Sequence, residues 1–161
     1  MNENSTDPIK ENAKAKIDTL FDKFVPYMDS GKSIISHELI LSDREITPDS
    51  IIMTVDDWHV KTLVWKTPHA INPYLYEEIR FSVDVFYAND IFNINSSFFF
   101  GFNYDQYFGL KPILIGNKAI NYNIKQYMFT TDSLFFAFKV HCQRFGKLKL
   151  YNLQIIGVRK D

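Results

Sequence analysis

The end of the chain alternates between apolar and polar side chains. From Ser133 to Val158 it reads SLFFAFKVHC, then QRFG, then KLKLYNLQIIGV. Leu134, Phe136, Phe138, Val140 and Cys142 fall on one side of an extended chain, and Phe135, Ala137, Lys139 and His141 on the other. Leu148 and Leu150 continue the alternation against Lys147 and Lys149. Period two, rich in aromatic and β-branched residues, is the mark of a half-buried strand. A glycine-containing gap between two such runs predicts a hairpin, here hinged at Gly146.

The pattern recurs upstream. Residues 77–88 set Ile79, Phe81, Val83, Val85 and Tyr87 against Arg80, Ser82, Asp84 and Phe86, and residues 97–103 turn Phe98, Phe100 and Phe102 inward. Residues 119–130 set Ile120, Tyr122, Ile124 and Met128 against Asn121, Asn123, Lys125 and Tyr127. In residues 58–66, Trp58, Val60, Thr62 and Val64 oppose His59, Lys61, Leu63 and Trp65. Trp58 is read as core and Trp65 as an outward ring. Shorter strands are predicted at 33–41, 51–55 and 112–115, the last ending at a hairpin turn, Gly116-Asn117. Residues 67–76 and 105–109 read as loops. Eight or nine short strands with no helices between them predict an all-β sandwich or barrel.

One segment breaks the rule. Asp7-Pro8 is a good helix opening, and Ile9, Ala13, Ile17, Leu20, Phe21, Phe24 and Met28 recur at spacings of three and four. That predicts an amphipathic helix ended near Phe24 by Pro26. The chain then divides into a tail and helix over 1–30 and a β-sandwich over 31–161. Two readings stand for the apolar stripe: packing on the sandwich, or contact with a parent domain or a second copy.

Composition narrows the class. The chain has 161 residues, 16% aromatic, with 15 Phe and 9 Tyr, which suits pleated surfaces. A net charge of −1 with no basic cluster argues against nucleic acid. The single cysteine, Cys142, excludes an intrachain disulfide. No apolar run is long enough to span a bilayer as a helix, and residues 1–16 lack the apolar core of a secretory signal. The expectation is a soluble protein of a reducing compartment, the cytoplasm, unless the chain is a piece of a longer protein with its own targeting signals.

The terminal run GKLKLYNLQIIGV, with Gly146, Leu148, Leu150, Asn152, Leu153, Ile155 and Val158, resembles the final strand of jelly-roll carbohydrate-binding domains. SLFFAFKVHC resembles their penultimate strand and YEEIRFSVDVFYA their central one. The resemblance covers most of the chain after residue 30 and is a pattern of strands rather than a unique motif. It implies a jelly-roll antiparallel β-sandwich carrying the N-terminal helix. It also implies a non-catalytic domain that binds glycan or polysaccharide beside a parent or partner enzyme that builds or handles polysaccharide. Many relatives carry an acidic residue where Asn152 stands, often in a structural calcium site, so that metal is in question here and no cofactor is expected.

Sugars are recognised by flat apolar rings, on which their C–H faces stack, and by planar polar side chains that bond their hydroxyls. The outward sides of the strands supply the candidates: Trp65 as platform, with His59, Arg80, Asp84, Asn123, Lys125, Tyr127 and His141 around it. Any solvated sheet face shows the same alternation, and Arg80 with Asp84 equally fits a surface ion-pair network. Enzyme motifs are missing. The four histidines are scattered, no HExxH or GxSxG element is present, and the lyase arrangement of Gln two before His fails because Gln143 follows His141. The rival reading is a structural or oligomerisation module acting through its N-terminal helix.

Overall fold

The computed structural model describes residues 15–24, 28–29, 32–33, 44–102, 106–125 and 128–160. Its strands are β1 (Ile17–Phe21), β2 (Met28–Asp29), β3 (Lys32–Ser33), β4 (Arg44–Ile46), β5 (Ser50–Thr54), β6 (Lys61–Lys66), β7 (Tyr76–Ala88), β8 (Ser96–Phe102), β9 (Gln106–Ile113), β10 (Gly116–Lys125), β11 (Phe136–Cys142) and β12 (Lys147–Arg159). A larger sheet runs β10-β7-β12-β5-β4, with β1 also paired to β12, and a smaller sheet runs β6-β11-β8-β9. Their paired strands are antiparallel, and β2 and β3 form a minimal ladder of their own. The chain is an all-β antiparallel sandwich of two sheets.

The inward positions are those the alternation predicts for the long strands, except Met128, which lies beyond the end of β10 and is exposed. Ile79, Phe81, Val83, Val85 and Tyr87 of β7 meet Phe98 and Phe100 of β8 and Phe136, Phe138 and Val140 of β11, all buried. Aromatic rings carry the contact between the layers. Phe81 lies 4.6 Å from Phe100, Phe98 stacks on Tyr122 at 6.3 Å, and Phe100 stacks on Tyr122 at 5.1 Å. Each such side chain contributes about 1.5–3 kcal/mol by leaving water.

Several expectations are corrected. The N-terminal helix is not what residues 17–21 form: Ile17–Phe21 is β1, paired with Ile155–Val158 of β12. The same apolar spacing serves here, because Phe21 and Phe24 reach the core while the β1 backbone pairs with β12. Tertiary pairing overrides a local helical preference. The remainder of the expected helix, residues 7–14 and 25–27, lies outside the described residues, as does most of the strand expected at 33–41.

The terminal run is not a hairpin. Strand β11 pairs with β6 and β8 in the smaller sheet, and β12 with β7, β5 and β1 in the larger. The turn at Gly146 therefore carries the chain from one layer to the other. A Cβ at Gly146 would lie 2.8 Å from the Gln143 carbonyl and 3.0 Å from the Tyr87 ring, so the tight crossing needs glycine. The Gly116 turn crosses in the same way, since β9 and β10 belong to different sheets.

Strand β6 begins at Lys61, leaving Trp58 to Val60 in a loop, and its inner side is the reverse of the one expected. Leu63 and Trp65 are buried in the core, whereas Trp58 is 66% exposed. Finally, residues 106–109, expected as loop, open strand β9.

Candidate functional site

The outer face of the larger sheet is built from the even positions of β7 and the odd positions of β10. Arg80 stands opposite Asn123, Ser82 opposite Asn121, Asp84 opposite Ala119 and Phe86 opposite Asn117. On the other flank of β7, Asp84 faces Tyr151 of β12 and Ser82 faces Gln154. Tyr151 is the feature the sequence reading missed. Its hydroxyl donates to Asn117 Oδ1 at 3.2 Å, two strands away. The long axis of the phenol therefore runs across β7 toward β10 rather than standing out from the sheet. Continuing the outward alternation of Lys147 and Lys149 by one more step finds it.

Immediately after Tyr151 the ladder slips. The register between β12 and β7 shifts between Tyr151 and Gln154, and Asn152 adopts φ 53°, the left-handed region that Asn tolerates better than most residues. The shift falls where β12 loses its outer neighbour, because β5 covers residues 147–151 and β1 covers 155–158. The gap between β5 and β1 is a cleft of about 580 Å³ lined by Asp22, Lys23, Asp49, Ser82, Asp84, Asn152, Leu153 and Gln154. Asn152 Nδ2 donates to Asp84 Oδ2 at 2.9 Å, and Lys23 Nζ donates to Asp49 Oδ1 at 2.6 Å, tying one wall to the other. Three carboxylates against one ammonium make the cleft unfavourable for phosphate or other anions and well supplied with acceptors for hydroxyl groups.

At the far end of this face Glu78 accepts hydrogen bonds from Arg80 Nε and from Lys125. The Arg80 bond, then that of Lys125, holds the Glu78 carboxyl below its ordinary range. Arg80 and Lys125 are thus partnered by an acid, with Asn123 beside them.

Of the eight candidates, Arg80, Asp84, Asn123 and Lys125 share this face. The others do not join them. Trp65 is 1% exposed and stacks on Phe138 at 5.1 Å, so it presents no ring to a ligand. His141 is on the outer face of the smaller sheet, its Nδ1 2.7 Å from Thr62 Oγ1 and its ring edge-on to Phe99 at 5.4 Å. His59 is in the loop before β6, its backbone N–H donating to Asp57 Oδ1. Tyr127 lies outside the described residues. Burial pushes the Cys142 thiol up to about 12, so at neutral pH it is not a thiolate. Among the described residues no group of three His, Cys, Asp or Glu side chains is arranged to hold a metal ion.

No family model matches the sequence, and no curated protein does. Solved structures similar to this chain are carbohydrate-binding modules. One is a family 4 module, at 10% identity and TM-score 0.46, covering 74% of this chain and 76% of its own. Another is a family 29 module variant in complex with cellulohexaose, at 12% identity and TM-score 0.47, covering 91% and 92%. A third, of the same family with mannohexaose, has 10% identity, TM-score 0.46 and coverage of 89% and 92%. Likeness at this level does not bear on what this chain binds.

Proposed function

We propose that this chain is a non-catalytic carbohydrate-binding domain, a sandwich of jelly-roll type that holds a glycan on the outer face of its larger sheet. The observation that carries the reading is the pose of Tyr151, a phenol laid across β7 beside a cleft of planar polar side chains. A pyranose ring offers C–H groups on its faces and hydroxyls at its edge. The Tyr151 ring takes the first, and Asp84, Asn152 and Gln154 take the second. Arg80 and Asn123 extend the polar track along β7 and β10 for further sugar units. Few of these groups are deeply buried, so affinity falls between micromolar and millimolar, where a Kd of 1 mM is about −4 kcal/mol. The strand resemblance to accessory modules supports service to a larger polysaccharide-handling protein.

The test is a glycan array probed with the wild-type chain and with Tyr151→Ala, with cellohexaose and mannohexaose included. Retention by the wild type and its loss in the variant is the expected result. If no glycan is retained, or the variant is retained equally well, the reading fails.

A further inference from the structure

Three connections meet at one end of the sandwich: residues 55–60 between β5 and β6, 89–95 between β7 and β8, and 143–146 between β11 and β12. They are clamped to one another. The Val55 N–H donates to the Gly146 carbonyl at 2.9 Å and the Phe145 N–H to the Asp57 carbonyl at 3.3 Å. Asn89, only 4% exposed, ties the other two. Its Nδ2 donates to the Arg144 carbonyl at 2.9 Å and to the Tyr87 hydroxyl at 3.1 Å, while its Oδ1 accepts from the Phe92 N–H at 3.1 Å. The Tyr87 hydroxyl in turn donates to the Ile94 carbonyl at 2.7 Å.

What this network holds is an aromatic cluster facing water. The Trp58 ring lies 5.2 Å from Phe92 and 5.2 Å from Phe145, and the Arg144 guanidinium sits over Phe92 at 5.1 Å. Trp58 remains 66% exposed and its neighbour Ile91 62%. Phe145 is held at φ 54°, a costly conformation for a bulky residue. An exposed indole adds little to folding, since the gain comes from area removed from water. A buried hydrogen-bond network and a strained backbone that fix such a ring in place point to binding.

Beside Phe145 lies a second cavity, of about 340 Å³, lined among others by Val55, Asp56, Asp90, Ile91 and Lys147. Its size is at the small end of ligand sites. Its apolar floor carries carboxylates and one ammonium at the rim, which suits a neutral ligand with hydroxyls at its edge and an apolar face. We infer that this end of the sandwich is a second carbohydrate site, taking the terminal one or two rings of a neutral oligosaccharide. Trp58, which does not line the cavity but packs on its Phe145, is the stacking platform, and Asp56, Asp90 and Lys147 are the hydroxyl partners. Thr54, Ala88 and Lys147 place the cavity at the end of the larger sheet's outer face, but none of its partners is among the side chains named for the sheet-face site, so Trp58→Ala and Tyr151→Ala test the two separately.

Trp58 and Trp65 are the two tryptophans of the chain, and only Trp58 is open to solvent. Neutral hexaoses of glucose, mannose and xylose are titrated into wild type, Trp58→Ala, Trp58→Tyr and Tyr151→Ala, following tryptophan emission, acrylamide quenching and calorimetric affinity. In wild type and in Tyr151→Ala, one hexaose shields Trp58 from acrylamide. Trp58→Ala weakens that event about fivefold or more, as truncation of an aromatic anchor does, and Trp58→Tyr keeps it within about twofold. A urea midpoint for Trp58→Ala equal to that of wild type shows that folding is not the cause. If no hexaose shields Trp58, if Trp58→Ala binds as wild type, or if a protein surface alone shields it, the inference is overturned. A Trp58 response that survives in Tyr151→Ala, with no other difference from wild type, overturns the sheet-face reading and leaves this one standing.

Discussion

The two outer faces of the sandwich are made by the same alternation and are chemically unlike. On the larger sheet, Asp84, Asn152, Gln154, Asn123 and Tyr151 are presented beside an open cleft. On the smaller sheet, lysines lie over aromatic rings, Lys66 above Phe135 at 3.9 Å and Lys139 above Phe99 at 4.9 Å, while His141 is bonded to Thr62. Lys66, Phe135, Lys139 and His141 each have a further partner, and Ala137 between them is 0% exposed. Both faces bond their side chains to one another, but one opens onto a cleft lined by acids and amides and the other is covered by lysine–aromatic contacts. Period two says which residues leave the core; it does not say what they meet outside it.

Both faces rest on one core, and the largest expected effect breaks both at once. Trp65→Ala removes a ring stacked on Phe138 and should cost about 3–5 kcal/mol in a urea unfolding experiment, the usual loss for a buried Trp. A loss under about 1 kcal/mol would mean that the ring is not in the core. Next, Asp84→Ala leaves stability nearly unchanged but weakens glycan binding about tenfold, or about 1.4 kcal/mol, read by calorimetry. Equal affinity would remove the cleft from the site. On the smaller sheet, Thr62→Val removes the partner of His141 Nδ1 and should cost about 0.5–1.5 kcal/mol of stability while leaving glycan affinity alone. A change in affinity there would blur the distinction between the faces.

The smallest effect concerns pH. The folded Glu78 carboxyl is held below its ordinary value of 4.5, so its contribution to stability is fully present above that value and is lost as pH falls through the folded pKa. Glu78→Gln should therefore lower stability at neutral pH, by a small amount because Arg80 and Lys125 are half exposed, and should converge with wild type as pH falls through the folded pKa, which flattens the acid limb. Urea midpoints between pH 7 and pH 3 measure it, and an unchanged acid limb would discount the cluster.

Much of the layer pattern was legible in the sequence. The inward residues of β7, β8, β10, β11 and β12 follow from alternation because a strand with one buried face must repeat every two residues. Sheet membership did not follow, because two runs joined by a short turn can lie side by side or face to face, and both arrangements bury Phe138 and Leu148. That ambiguity put His141 on the face of Arg80. In β6 both sides are apolar, Val60 and Val64 against Leu63 and Trp65, so hydrophobicity could not choose the inner one and the two tryptophans were exchanged. The apolar spacing of Ile17, Phe21 and Phe24 fits a helix or a bent edge strand equally, and the pairing with β12 that decides it is remote in sequence. Two partners of Asn89, the Tyr87 hydroxyl and the Phe92 N–H, are near in sequence, but the Arg144 carbonyl that makes it a clamp is brought to it only by the fold.

The distinction between the faces is open to one direct measurement. In an NMR titration with the hexaose that binds best, the side-chain amides of Asn117, Asn152 and Gln154 and the backbone amides of Asp84 and Tyr151 should shift progressively. The amides of Thr62, Phe99, Lys139 and His141 should stay in place. Shifts confined to the second group, with the first unmoved at saturating sugar, would contradict the assignment of the glycan to the larger sheet.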